Sequence, residues 1–223
     1  MNVVGIIAQK GGAGKTTLAV HLAVAAAQLG RGKGRGRMSM RVLLIDTDEQ
    51  DSARKWWESR KGKGVDLVAA RTLGPALKKI GDDYDLVVVD TAPRAAADTL
   101  ATIKLCDFIL APCRPGRLDI DAMVDTAAIL KMAKKPSFVV LSAVPTVGQA
   151  VLTEARQAMT DLGLDCCPVH ISQRVSYSHA LIDGHSVTEF EPNGRAAGEI
   201  KDLWRFTEAQ LALGAVASGI GAA

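Results

Sequence analysis

Residues 3–29 read VVGIIAQKGGAGKTTLAVHLAVAAAQL, and the texture changes twice within them. VVGII (3–7) is apolar on consecutive positions, as a strand buried on both faces reads. LAVHLAVAAAQL (18–29) is rich in Ala and Leu, the composition of a helix. Between them lies QKGGAGKTT (9–17). Gly11, Gly12 and Gly14 let the backbone turn so that successive N–H groups converge on one point. The helix behind adds the positive end of its dipole. Lys15 reaches the β- and γ-phosphates of a nucleoside triphosphate, and the Thr16 hydroxyl suits Mg²⁺. The segment is therefore expected to cradle phosphate with Gly11, Gly12, Ala13, Gly14, Lys15, Thr16 and Thr17.

Outward from this loop, the same alternation continues. VLLI (42–45), LVVV (86–89), FILA (108–111) and FVVLS (138–142) read as buried strands, with weaker strands near 65–70 and 166–170. Helix candidates are 15–29, 50–60, 94–104, 118–133, 148–162 and 195–213. Strand–helix alternation of this kind predicts an α/β fold: a doubly wound, mostly parallel sheet with helices on both faces. One domain over 1–213 is expected, interrupted by a basic, glycine-rich insertion at 31–40 and followed by a flexible tail at 214–223.

The chain has 223 residues, with 48% hydrophobic and 23% charged, a globular composition. No apolar stretch approaches a membrane span and the start lacks the pattern of a secretory signal. The four cysteines, Cys106, Cys113, Cys166 and Cys167, form no CxxC pair and read as reduced thiols. His21, His170, His179 and His185 show no metal spacing. The net charge of +3 is unevenly placed. RGKGRGR (31–37) carries Arg31, Lys33, Arg35 and Arg37, and without those four charges the chain would stand at −1. If that segment grips nucleic acid, deleting it should lower the salt slope of binding by up to about four.

Two further strands end in acids. LLIDTDEQ (43–50) ends in Asp46 and Asp48, and YDLVVVDTAP (84–93) carries Asp90. A carboxylate at the C-terminal edge of a parallel sheet lies near the phosphate loop and holds Mg²⁺ through water.

KGGAGKTT (10–17) resembles the deviant Walker A motif of the ParA/MinD ATPases, in which the early lysine is the signature. Gln9 stands where the general phosphate loop has its first glycine. The resemblance implies that Lys10 reaches across an ATP-bound homodimer to the partner's phosphates. DTDEQ (46–50) is similar to the family's D-x-D-P-Q segment, which assigns the attacking water to Asp48 and places Asp46 nearer the metal; Glu49 replaces the usual proline. Catalysis is thus expected from Lys10, Lys15 and Asp48, with Thr16, Asp46 and Asp90 around Mg²⁺. TAP (91–93) would sense the γ-phosphate.

HISQRVSYSHALIDGHSVTEFEPNGRAAGEIKDLW (170–204) resembles the end of the small, single-domain partition ATPases of the ParF type. By that resemblance Ile171 to Arg174 line the adenine pocket. The resemblance implies ATP and Mg²⁺ as cofactors and an ATP-bound dimer that binds nonspecific DNA, with Arg174, Arg195, Lys201 and Arg205 as candidate contacts. A ParB-like or ParG-like centromere-binding adaptor would stimulate slow hydrolysis. The phosphate loop begins within ten residues of Met1, leaving no preceding helix-turn-helix. The mixed charges of EIKDLWRFTEAQLAL (199–213) argue against membrane targeting, so a cytoplasmic, nucleoid-associated protein is expected. Plasmid or chromosome partition is the first function implied. The alternatives are the same ATPase positioning another cargo, such as carboxysomes, and an iron–sulfur carrier on the same scaffold.

Overall fold

Six strands form one all-parallel sheet in the order β3-β2-β4-β1-β5-β6. The computed structural model describes residues 1–32, 38–93, 95–147 and 149–220. Residues 33–37 of the basic insertion, with Lys33, Arg35 and Arg37, lie outside the described residues. The strands are β1 (Asn2–Ile6), β2 (Val42–Asp46), β3 (Asp66–Ala69), β4 (Leu86–Asp90), β5 (Phe108–Cys113) and β6 (Ser137–Leu141). The helices are α1 (Lys15–Leu29), α2 (Ser52–Ser59), α3 (Leu73–Ile80), α4 (Ala96–Lys104), α5 (Arg117–Asp121), α6 (Met123–Ala133), α7 (Gln149–Asp161), α8 (Val175–Ile182), α9 (Val187–Phe190) and α10 (Arg195–Ile220).

The consecutive apolar residues of the central strands are explained by two cores. Val4, Ile6, Val42, Leu44, Leu86 and Val88 face one layer with α1 and α10. The intervening Val3, Leu43, Ile45, Val87 and Val89 face the other, against residues of α3, α4, α6 and α7. Each strand is thus buried on both faces, which alternation with polar residues would not permit. Trp204 is fully buried and its indole Nε1 donates to the Gly30 carbonyl at 3.1 Å, fixing α10 along α1. Phe108, Phe138 and Phe206 form a triangle of rings with centroids 5.0 to 6.3 Å apart, docking α10 on β5 and β6.

Several elements differ from the sequence reading. The helix expected over 118–133 is split into α5 and α6 at Ala122. The expected strand near 166–170 is a single bridge of Cys166 to Val139 beside β6. α10 continues to Ile220, through most of the segment read as a flexible tail. Helices α3, α8 and α9 were not expected.

α2 is tied to the C-terminal region by charge and by close backbone approach. Arg60 makes a bidentate pair with Glu189 at 2.6 and 2.7 Å, donates to the Gly184 and Lys63 carbonyls, and lies over the Trp56 ring. Gly184, at φ 70°, passes so close to the Arg60 backbone that a Cβ would fall 2.3 Å from its nitrogen. The Trp56 and Trp57 indoles donate to the His185 and Val65 carbonyls.

His21 joins α1 to α9. It is fully buried, its Nδ1 lies 3.1 Å from the Ser186 hydroxyl and accepts the Val187 N–H at 3.3 Å. Burial drives its pKa from 6.5 to about 3, only partly offset by Tyr177 and Glu189. A histidine neutral when folded and charged when unfolded contributes stability that is complete above pH 6.5 and lost as pH falls towards 3. Relative to His21→Gln, the parent should lose about 1.4 kcal/mol per pH unit below 6.5, measured by urea unfolding at pH 7, 6 and 5.

Candidate active site

The segment between β1 and α1 adopts the conformation its glycines were read to allow. Gly12 and Gly14 have φ of 74° and 95°, and nothing stands within 4 Å of a Cβ built at Gly11 or Gly12, so the concave side of the loop is open. Gly14 precedes α1 with no side-chain cap on the helix, which leaves the first-turn N–H groups for a ligand. Two side chains brace the loop from outside. Gln9, in the unusual first position, donates to the Thr99 hydroxyl on α4 at 3.0 Å. The Ser142 hydroxyl, at the end of β6, donates to the Ala13 carbonyl at 3.0 Å. Ser142 was not foreseen; nothing local in its sequence marks it.

In front of the loop is a cleft of about 860 Å³, lined among others by Gly11, Gly12, Lys15, Thr16, Asp48, Pro93 and Arg114. Lys15 is nearly buried and its ammonium donates to the Lys10 carbonyl at 3.2 Å. Burial lowers its pKa, while Asp90 and Asp48 act to keep it charged.

The strand ends bring the acids together. Register pairs Asp46 of β2 with Asp90 of β4, and both are buried. Asp46 is engaged with backbone: it accepts the Asp48 N–H at 2.9 Å and the Arg54 N–H at 3.3 Å, so it organises the turn into α2. Its pKa is raised by burial, against those hydrogen bonds. Neither Asp90 carboxylate oxygen has a partner in hydrogen-bonding geometry. Burial pushes the Asp90 pKa up to about 7, with Thr16 and Lys15 pulling the other way. Asp48 is partly exposed at the cleft, its carboxylate accepting the Gln50 N–H at 3.0 Å.

These donors fit a hard divalent cation. Asp90 offers unpartnered carboxylate oxygens, and the Thr16 hydroxyl stands beside it. No cluster of three or more acidic, histidine or cysteine ligands occurs among the described residues.

Lys10 is held within its own chain, its ammonium 2.9 Å from Asp119 on α5. A second cavity of about 150 Å³ adjoins the cleft, and Ile171, Ser172, Gln173 and Arg174, expected around a base, line it with Tyr177 and Ile200. Its wall is held by Glu199, which accepts from the Ser172 N–H and hydroxyl, the Arg174 Nε and the Tyr177 hydroxyl at 2.7 to 3.1 Å. The candidate DNA contacts are therefore not equivalent. Arg174 is committed to Glu199, Arg205 pairs with Asp202 at 2.7 Å, and Lys201 donates to the Pro192 carbonyl at 2.6 Å. Arg195 begins α10 and is exposed.

Cys106 and Cys113 are buried and their thiol pKa values are pushed by that burial to about 12. Thiols so enclosed present nothing to a cluster shared between subunits.

A parallel sheet with a glycine-rich loop after its central strand and acids on the flanking strand ends defines a phosphate-loop nucleotide-binding protein. The chain belongs to the CobQ/CobB/MinD/ParA nucleotide-binding domain family, which it matches over residues 4–187, and is thus a ParA/MinD-type ATPase. It is 30% identical over 217 residues to the maintenance of carboxysome distribution protein A of Gloeobacter kilaueensis, covering 94% of this chain and 93% of that one. To the chromosome-partitioning ATPase Soj of Thermus thermophilus it is 28% identical over 157 residues, covering 55% and 59%. Its fold superposes on an aspartate-to-alanine variant of Cyanothece McdA in complex with ATP, with a TM-score of 0.73 at 19% identity over 93% of this chain and 96% of the other. No described helix is long and apolar enough to cross a membrane.

Lys15→Ala removes the one lysine ammonium that lines the cleft among the described residues, and should abolish ATP binding measured by calorimetry while leaving the far-ultraviolet circular dichroism unchanged.

Proposed function

We propose that this chain is a slow ATPase switch that closes as a homodimer around ATP, holds nonspecific DNA in that state, and positions a large assembly of the carboxysome kind. The cleft carries the nucleotide part of this reading, because Lys15, Thr16 and Asp48 line it beside the glycine loop, with Asp90 buried next to Thr16 and Lys15. The cargo rests on likeness: the carboxysome-distribution relative is 30% identical over nearly the whole chain, whereas protein ParA of Rhizobium radiobacter, matched over 89% of this chain, is 25% identical. Plasmid or chromosome partition, the first function implied by the sequence, accordingly becomes the second reading. A neighbouring gene for a small centromere-binding adaptor would restore it, and neighbouring shell-protein genes would support the first.

In the proposed reaction, water attacks the γ-phosphorus in line, the bond to the β-phosphate oxygen breaks, and ADP and phosphate result. Asp48 orients the water from the edge of the cleft. Lys15 and the loop amides stabilise the charge on the transferring group. When bound, Mg²⁺ supplies further charge neutralisation, held by the Thr16 hydroxyl and, through water, by Asp90; Asp46 serves the turn that presents Asp48. Lys10 contributes to the partner's phosphates only after parting from Asp119. Phosphate sensing falls to the segment at 91–93, where the Thr91 hydroxyl donates to the Ile6 carbonyl at 2.7 Å. Among the DNA candidates, Arg195 has no intramolecular ion pair among the described residues, so it is the strongest; Arg174 acts instead in the wall of the base pocket.

Asp48→Ala should bind ATP and dimerise like the parent yet lose turnover by roughly 100-fold or more, as phosphate release would show. Hydrolysis at the parental rate would return the water to another residue. Electrophoretic shift on random duplex DNA tests the tethering: binding is expected with ATP alone, not with ADP, and weaker as salt rises. Absence of an ATP-dependent shift at low salt would overturn DNA tethering and leave the ATPase standing.

A further inference from the structure

The phosphate cleft and the base cavity meet at Gly14, Thr17 and Arg114, the three residues that line both. Gly14 and Thr17 belong to the start of α1. Arg114 stands opposite in origin, as the first residue beyond β5. β1 and β5 are neighbours, and connections from them lead to opposite halves of the sheet, so their C-terminal ends flank the crevice that a doubly wound fold opens to ligands. The topology therefore places one arginine where the two cavities join.

Its charge is uncommitted. The Arg114 side chain is exposed and makes no hydrogen bond or ion pair among the described residues. Other cations nearby are engaged: Lys10 with Asp119, Arg117 with Asp121, Arg174 with Glu199. In particular, the carboxylate of Asp119, five positions on, is taken by Lys10. Of the three shared residues, only Arg114 carries charge, and a guanidinium matches phosphate oxygens in a bidentate manner.

We infer that Arg114 binds the α-phosphate of the nucleotide held by its own subunit. The inference rests on the nucleotide reading above. A nucleotide with its base in the smaller cavity and its β- and γ-phosphates on the loop must pass its ribose and α-phosphate through the junction. Lys15 and the amide nest serve the far end of the triphosphate, and the wall held by Glu199 serves the base. Arg114 serves the part between, which ATP and ADP share. Its contribution is therefore to binding of both nucleotides and not to the step that distinguishes them. Loss of a contact made equally before and during reaction weakens affinity and leaves turnover at saturation intact.

The test is calorimetry of the parent, Arg114→Gln and Arg114→Lys with Mg·ADP and with a non-hydrolysable Mg·ATP analogue, beside kcat at saturating ATP. Arg114→Gln should weaken both nucleotides about tenfold, with kcat and the melting temperature unchanged, and Arg114→Lys should recover part of the loss. Parental affinity for ADP in Arg114→Gln overturns the inference. So does a loss confined to the ATP analogue with a fall in kcat, which would move the arginine to the γ-phosphate. In both cases nucleotide binding by the parent preserves the ATPase reading. A parent that binds neither nucleotide overturns that reading, and this inference with it.

Discussion

The site depends on one pairing, the parallel alignment of β1 between β4 and β5. Parallel strands end on the same side, so this register brings the phosphate loop after β1, Asp90 at the end of β4 and Arg114 beyond β5 to one edge. The pairing is itself enforced by burial. Val3 and Val4, like Val87 and Val88, point to different cores, and a slip of one residue would exchange every side chain between them. Hydrophobic pattern and active-site geometry are consequences of the same register.

What the sequence disclosed and what it hid divide along contact range. The loop, the acids and the strands bearing them were legible because each is a run of adjacent residues with its own local physics. β1, β2, β4, β5 and β6 were read within a few residues of their limits, since unbroken apolar runs have little other use. α3 escaped notice because LGPALKKI opens on Gly74 and Pro75, which read as a breaker, although proline is tolerated in a first turn. α8 and α9 are only eight and four residues long, and their place is fixed by contacts with α10, α1 and α2 that no local pattern shows.

Charge was the least legible property. Arg174 reads as an available cation, but its partner Glu199 is 25 positions away and on another helix. Lys10 finds Asp119 more than a hundred positions on, and Arg60 finds Glu189 at a similar remove. Asp46 and Asp90 look interchangeable as strand-end acids. Their surroundings separate them, one saturated by backbone N–H groups and the other unpartnered. A list of charged residues thus overstates the charge a partner meets.

The burial of α1 on nearly every side sets a limit on how this molecule can move. From Leu18 to Ala26 every residue of the helix is enclosed, with α10 along it through Trp204. A helix so enclosed has no polar face to turn outward, and displacing it would open voids in a packed core. It is the anvil of the device: fixed behind the phosphate loop, while Asp48, Ala92 and Pro93 stand at the rim of the cleft. Under the function proposed above, nucleotide state would be written at the edge of the domain, where another molecule can read it, and not in its centre.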